Sequence, residues 1–299
     1  MNNKYNPVIP ARFFKEVALH VISNNLCNSS EYVFQSQPPL LLGIHGKSGQ
    51  GKSFQIEEVL KKLKIKAFHI SGSQLESESA GEPAKLILEN YLKASKFNLE
   101  SINGTAIVID DVDAGFGQWG ELVQYTVNTQ IINATLMHLA DNPYSIEVKD
   151  SFTMKMKEEN VKRVPVILTG NDFTKLYEPI SRPGRMRPFY WEPCLEEKIE
   201  MLTPIFPYLN EDELKKLIQT YINKKVSFFI NLKSFLVQEK IWEQVQKIGE
   251  ETYLDNLKAN RIPRIENTIL LNDLLKAAKS VCFHSSYKNN LQKKGNGKN

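Results

Sequence analysis

Residues 40–60 of this chain are LLLGIHGKSGQGKSFQIEEVL. The run 40–44 is apolar and has the length of a buried parallel strand. Residues 46–53 match the phosphate-binding pattern G-x4-G-K-[ST]. Apolar residues then recur at helical spacing, so a helix is predicted to begin near Lys52. This stretch predicts a strand, a glycine-rich loop and a helix in direct succession.

The loop is chemically suited to phosphate. Its glycines permit backbone angles that turn several N–H groups inward, and the following helix points its positive end at the same place. Lys52 can pair with β- and γ-phosphates, and the Ser53 hydroxyl can ligate Mg²⁺. The alternative, a glycine-rich turn with a chance G-K-S sequence, is disfavoured by the strand–loop–helix context. The candidate residues for binding a nucleotide are Gly46, Lys47, Ser48, Gly49, Gln50, Gly51, Lys52, Ser53 and Phe54.

Two adjacent acids end another predicted strand, at residues 105–110. Parallel α/β sheets bind ligands along the carboxyl edge of their strands. Asp110 is a candidate for holding Mg²⁺ through water, and Asp111 for polarising an attacking water molecule. Taken alone, these acids could equally be a solvated cap on the strand. Their combination with the phosphate-binding pattern favours nucleotide hydrolysis.

Three further polar residues are candidates for the same reaction. Asn171 follows the predicted strand 164–168, and its amide can hydrogen-bond water or the γ-phosphate without adding charge. Arg182 and Arg185 come shortly after it and cannot easily reach back into their own phosphate loop. They could enter a neighbouring subunit's site and stabilise transition-state charge. The alternative interpretation is an asparagine in a turn and two surface arginines.

Composition restricts the class of protein. The 299 residues are 41% hydrophobic and 24% charged, as in ordinary globular proteins. Residues 287–299 contain four lysines and no acid, which accounts for the whole formal charge of +4. The rest of the chain is therefore neutral and is not expected to bind nucleic acid. The three cysteines lack metal-ligand spacing. No signal core or long apolar run is evident, so we expect a cytoplasmic protein that does not bind membranes.

Strand and helix patterns alternate up to residue 193, which predicts an α/β domain with a parallel sheet flanked by helices. Beyond that point the patterns are helical, at residues 195–201, 210–222, 227–247 and 271–282. The predicted organisation is an N-terminal helix and linker (1–39), a nucleotide-binding α/β domain (40–193), an α-helical domain (194–286) and a basic disordered tail (287–299).

Taken together, these residues resemble an AAA+ ATPase, and several segments resemble more narrowly the green-type Rubisco activases of cyanobacteria and plants. These segments, which lie between residues 10 and 193, include GIHGKSGQGKSFQ, DDVDAGFG, QYTVNTQIINATLMHLADNP and RVPVILTGNDFTKLYEPI. Members of that family are ring-forming, usually hexameric remodellers driven by ATP. They release inhibitory sugar phosphates from Rubisco.

The resemblance implies an AAA+ fold with a helical lid, a homo-oligomeric ring and Rubisco as the client. It implies Walker A for 46–53, Walker B for Asp110 and Asp111, sensor 1 for Asn171, and the trans arginine pair for Arg182 and Arg185. It also implies pore loops at 76–82 and 116–124. Lys233 stands where the family has the sensor 2 arginine, so it is a candidate nucleotide contact that keeps the charge but loses the bidentate fork.

Other functions stay open. The helical region and the second pore loop, with Trp119 and Glu121, depart from the family pattern, which leaves room for a different protein client. Lys233 leaves room for a nucleotide-switch scaffold with little turnover. A DNA-loading ATPase is disfavoured by the neutral body of the chain.

Overall fold

The computed structural model describes residues 6–29, 36–76, 79, 81–97, 103–115, 127–149, 156–261 and 269–281. The strands are β1 (Leu41–His45), β2 (Ile65–Ser71), β3 (Gly104–Asp110), β4 (Ser145–Lys149), β5 (Met156–Asn160), β6 (Val166–Gly170) and β7 (Met186–Tyr190). The α-helices are α1 (Ala11–Leu26), α2 (Lys52–Lys62), α3 (Glu82–Ser95), α4 (Val112–Gly115), α5 (Val127–Asp141), α6 (Leu195–Leu202), α7 (Glu211–Thr220), α8 (Val226–Ile248), α9 (Glu250–Lys258) and α10 (271–281). The chain forms two compact units, Ile9–Glu192 and Pro193–Asn299 with Met1–Val8.

The first unit is built on a five-stranded parallel sheet in the order β2-β3-β6-β1-β7. This confirms the predicted α/β fold class. Strands β1, β3 and β6 are the three central strands and are buried along nearly their whole length. Both faces of such a sheet must be covered, which is why these strands are continuous apolar runs. The phosphate-binding pattern follows β1, which lies between β6 and β7 in the sheet.

Side chains alternate between two buried layers. Leu41, Ile107 and Leu168 belong to one apolar cluster, which also takes in residues of α3 and α5. Leu42 and Ile167 are equally buried but point to the opposite face, as strand geometry requires. Helices α1 and α2 contact each other and the sheet. Because all five strands are parallel, their carboxyl ends lie at one edge of this buried sheet.

The structure differs from the sequence-based prediction in three places. Strand β6 covers Val166–Gly170, two residues later than the predicted 164–168. Strands β4 and β5 form an antiparallel hairpin that was not predicted, because short charged strands such as MKEEN lack an apolar run. Helix α9 was also missed, and Gly249, with a φ of 91°, separates it from α8.

The second unit is helical in the residues described. Helix α7 begins with a capping box in which Asn210 and Glu213 exchange side-chain-to-backbone hydrogen bonds. Its buried side chains include Leu214 and Leu217, while α8 buries Phe229 near its start. Among the described residues of both units, no helix is long and apolar enough to cross a membrane.

Candidate active site

The loop between β1 and α2 has the backbone conformation of a phosphate cradle. Gly46, Gly49 and Gly51 have φ angles of 147°, 77° and 82°, in the region that favours glycine. At Gly46 a Cβ atom would lie 2.2 Å from the carbonyl oxygen of Trp191, so a side chain is excluded there. The helix α2 begins directly after the loop, at Lys52, with its N-terminus at the cradle.

Trp191 holds both ends of this loop. Its backbone nitrogen donates to the carbonyl oxygen of His45 at 2.7 Å, and its Nε1 donates to the carbonyl oxygen of Gln50 at 2.9 Å. The indole is fully buried. The first bond continues the pairing of β1 with β7, and the second satisfies a carbonyl group of the irregular loop. Together they fix the conformation of the cradle.

The Lys52 ammonium group lies inside the cradle. Its Nζ donates to the carbonyl oxygen of Gly46 at 2.6 Å and to that of Lys47 at 3.3 Å. It also lies 3.4 Å from Oδ1 of Asn171, which follows β6. The residue is only 8% exposed. A buried ammonium group that donates to carbonyl-type oxygens can donate instead to a phosphate oxygen, which then replaces one of them.

The predicted magnesium ligands meet directly. The Ser53 hydroxyl donates to Oδ1 of Asp110 at 2.7 Å. Hydroxyl and carboxylate oxygens are the hard donors that Mg²⁺ prefers. Ser53 is exposed, so water molecules can reach the ion and complete its coordination. The donor set therefore fits Mg²⁺.

Asp111 has an unusual backbone. Its φ is 54°, a left-handed conformation that costs a non-glycine residue roughly 1–2 kcal/mol. Its backbone nitrogen donates to Oγ1 of Thr169 at 3.1 Å, and the residue is exposed at the edge of the sheet. The acid predicted to polarise water thus leaves the strand direction immediately after Asp110.

A further carboxylate, not predicted as a site residue, supports Asn171. Asp113 is 1% exposed, and its Oδ2 accepts hydrogen bonds from the backbone nitrogens of Asn171 at 2.9 Å and Asp172 at 3.0 Å. These bonds hold the turn after β6 against the start of α4. The third acid of the D-D-V-D run was the available sequence signal, but nothing local to it indicates which amides it meets.

His45 lies at the mouth of the cradle. Its ring stacks on Phe173 at a centroid distance of 5.0 Å and meets Tyr190 edge-on at 5.4 Å. Burial lowers the pKa of His45, the nearby charge of Lys52 lowers it further, and Asp172 opposes the shift. The imidazole is therefore neutral near pH 7 and adds no cation to the cradle.

The two candidate trans arginines are engaged within their own chain. Arg185 donates to both carboxylate oxygens of Asp141, and Arg182 donates to both carboxylate oxygens of Glu178. The described hydrogen bonds of these guanidinium groups involve no residue of the phosphate loop. The structure thus brings together Lys52, Ser53, Asp110 and Asn171, with Asp111 at the rim, and leaves the arginines apart from them.

Lys233 lies in the helical unit. Its Nζ donates to the carbonyl oxygen of Ile205 and lies 5.9 Å from the ring centroid of Phe206. Partial burial lowers the pKa of Lys233. Its predicted contact with nucleotide remains a prediction. The predicted pore loop 116–124 lies outside the described residues, as do residues 77, 78 and 80 of the other pore loop and all of the tail 287–299.

A comparison with protein-family models gives one family. Residues 42–193 match the family described as "ATPase family associated with various cellular activities (AAA)". The match spans β1 to the end of the sheet-containing unit and includes every element that builds the cradle. The chain belongs to the AAA family of ATPases. The sequence-based identification of the family is thereby confirmed.

Curated relatives of this AAA protein carry a more specific name. It is 39% identical over 245 residues to the ribulose bisphosphate carboxylase/oxygenase activase of Anabaena sp. (strain CA / ATCC 33047), covering 81% of this chain and 57% of that protein. It is 39% identical over 253 residues to the chloroplastic activase 1 of Larrea tridentata, covering 84% and 51%. It is also 39% identical over 252 residues to the chloroplastic activase 1 of Nicotiana tabacum, covering 84% and 54%. The chain spans little more than half the length of these relatives.

Proposed function

We propose that this chain hydrolyses ATP and uses the reaction, as part of a homo-oligomeric ring, to remodel Rubisco and release inhibitory sugar phosphates. One observation carries the ATPase part of the proposal. Lys52 and Ser53 on α2 meet Asn171 after β6 and Asp110 at the end of β3, all at the same edge of one sheet. Rubisco as the client is supported by the name of the relatives and by the length of the similarity.

ATP would bind with its phosphates in the cradle of residues 46–53. The backbone N–H groups and the N-terminus of α2 favour the negative charge there, and Lys52 pairs with the β- and γ-phosphates. Ser53 and Asp110 would hold Mg²⁺, which when bound neutralises charge on the β- and γ-phosphate oxygens. A buried ammonium group strengthens this binding, because charge interactions are less screened away from water.

Hydrolysis requires a positioned water molecule beside the γ-phosphate. Asp111, turned out of the strand by its left-handed backbone, polarises that water. The Asn171 amide holds the water or a γ-phosphate oxygen, and the bonds from Asp113 keep its backbone in place. Asp111 follows β3 and Asn171 follows β6, its neighbour in the sheet, so both come at the carboxyl ends of the strands.

A ring would complete each site with a group from the next subunit. Arg182 and Arg185 of one subunit would approach the γ-phosphate of its neighbour and stabilise charge in the transition state. The ion pairs with Glu178 and Asp141 support an external role, since in its own chain each guanidinium group pairs with an acid outside the phosphate loop. Exchange of these partners for phosphate would link nucleotide state to the contact between subunits.

The deciding experiment is reactivation of Rubisco that has been bound to its sugar-phosphate substrate before activation. Recovery of carboxylation that needs both this protein and ATP, and that is lost with Lys52→Ala, would support the proposal. ATP hydrolysis without recovery would instead identify an AAA ATPase with a different protein client. Nucleotide binding without either activity would indicate a nucleotide-switch scaffold.

A further inference from the structure

One buried hydroxyl group links both acids of the candidate site. The backbone ladder between β3 and β6 ends at the pair Ile109 and Leu168. At the next position the two strands are joined by a side-chain hydrogen bond, in which Oγ1 of Thr169 donates to Oδ1 of Asp110 at 2.8 Å. The same oxygen accepts a hydrogen bond from the backbone nitrogen of Asp111 at 3.1 Å.

The direction of both bonds is determined by chemistry. A backbone nitrogen can only donate, so the lone pair of the Thr169 hydroxyl faces Asp111. A hydroxyl has one proton, and that proton is left for the carboxylate of Asp110. Thr169 is fully buried between its neighbours in the sheet, so water cannot readily replace either bond.

One bond orients the carboxylate of Asp110, and the other stabilises the backbone conformation of Asp111. Oδ1 of Asp110 receives a hydrogen bond from Thr169 and another from Ser53, and two donors on one oxygen fix the carboxylate plane. The backbone of Asp111 is left-handed, and a bond to its nitrogen stabilises that otherwise costly conformation.

We propose that Thr169 is a positioning residue for ATP hydrolysis. Its hydroxyl directs the Asp110 carboxylate toward Ser53 and keeps Asp111 turned out of the strand toward the γ-phosphate. Because Thr169 is fully buried, it acts through these two acids and not by its own contact with the nucleotide. The inference rests on the proposed ATPase function, and it adds a single group on which metal binding and turnover both depend.

The test compares Thr169→Val with Thr169→Ser in the full chain. Valine keeps the shape but has no hydroxyl, whereas serine keeps the hydroxyl and loses only the methyl group. We expect Thr169→Val to lower kcat for ATP roughly 10- to 100-fold and to raise the Mg²⁺ concentration for half-maximal nucleotide binding, as loss of a group supporting a metal ligand commonly does. Nucleotide affinity without Mg²⁺ should change less than threefold, since the cradle and Lys52 are intact. Thr169→Ser should stay within threefold of the wild type in all three quantities.

Ser95→Ala is the matched control. Ser95 is a buried hydroxyl at the end of α3, and its Oγ accepts a hydrogen bond from the backbone nitrogen of Lys162 at 2.6 Å, away from the cradle. This variant should lower Tm while leaving kcat and the Mg²⁺ dependence unchanged. It separates the general cost of losing a buried hydroxyl from an effect on the site.

Two results would overturn the inference. One is Thr169→Val with wild-type kcat and Mg²⁺ dependence; the other is Thr169→Ser as impaired as Thr169→Val, which would assign the effect to packing of the methyl group. Absence of hydrolysis in the wild type would refute the proposed function instead, and the Mg²⁺ dependence of nucleotide binding would still decide whether Thr169 acts on Asp110. If Thr169→Val does not fold, Thr169→Cys replaces it, because a thiol is close to serine in size but is a weak donor.

Discussion

Arg185 and Asp141 form a two-pronged ion pair that joins the turn before β7 to the last residue of α5. The distances are 2.8 Å from Nε to Oδ1 and 2.7 Å from Nη2 to Oδ2, and Nη1 donates to the carbonyl oxygen of Pro179 at 2.9 Å. The hydrogen bond from Arg185 lowers the pKa of the Asp141 carboxyl group. To act on a neighbouring nucleotide, Arg185 must give up this partner for a phosphate.

Replacing Arg185 with alanine should therefore separate nucleotide binding from hydrolysis. The cradle is untouched, so ATP affinity should stay within threefold, while kcat should fall on the order of 10³-fold, as for other arginines that act in trans. Nucleotide binding and steady-state hydrolysis measured on the same preparation would check this.

Mixing subunits tests whether the arginine acts across an interface. An Arg185→Ala subunit keeps Asp111 in its own site but cannot supply the arginine to its neighbour. An Asp111→Asn subunit supplies the arginine but lacks the acid in its own site. Mixed rings should recover part of the activity that each variant lacks. A mixture no more active than its components would argue against action in trans.

Lys52→Ala should abolish ATP binding, because it removes the cation inside the cradle. We expect at least a 100-fold loss of affinity, about 2.7 kcal/mol. Lys61→Ala is the matched control on the same helix, since Lys61 is 66% exposed and pairs with Glu58. It should bind ATP like the wild type. Full ATPase activity in Lys52→Ala would remove the assignment of the phosphate loop.

Substitution of the two adjacent acids, Asp110 and Asp111, should affect different steps, Mg²⁺ binding and hydrolysis respectively. Asp110→Asn should raise the Mg²⁺ concentration for half-maximal nucleotide binding, because it removes a charged candidate ligand beside Ser53. Asp111→Asn should bind MgATP normally and hydrolyse it roughly 100-fold more slowly, as expected for loss of a general base. Titration of Mg²⁺ and single-turnover hydrolysis distinguish these outcomes. Identical phenotypes would show that the roles are not divided between the two acids.

We expect the free energy of unfolding to depend on pH through the buried His20. Burial, followed by the charge of Arg187, lowers the pKa of His20 from 6.5 to about 3, against an opposing hydrogen bond with the backbone of Val166. Between these values the unfolded chain binds a proton that the folded chain does not. This contribution to stability is thus complete above pH 6.5 and is lost as the pH falls towards 3.

The expected slope is about 1.4 kcal/mol per pH unit, or about 2 kcal/mol between pH 6.5 and 5. Denaturant unfolding at pH 7, 6 and 5 would measure it, and His20→Gln should remove that part of the slope. His69→Gln, on an exposed position of β2, is the control and should keep it. An unchanged slope in His20→Gln would contradict the assignment.

The sequence was sufficient for features that depend on neighbouring residues. The cradle could be predicted because its strand, its glycines and its helix are contiguous, and the left-handed angles at Gly49 and Gly51 are ones that glycine readily adopts. The alternation of apolar strands with helices likewise predicted a parallel sheet. The family assignment also followed from contiguous segments between residues 10 and 193, among them the phosphate-binding loop and the D-D-V-D run at the end of β3.

Only the folded chain shows which polar groups meet. Thr169 and Asp110 are 59 residues apart, and Asp113 and Asn171 are 58 apart, so no local pattern pairs them. They become neighbours because β6 inserts between β3 and β1 in the sheet, an order that differs from the order along the chain. That order is selected by burial of both apolar faces over the whole unit, whereas a motif is set by the few residues that form it.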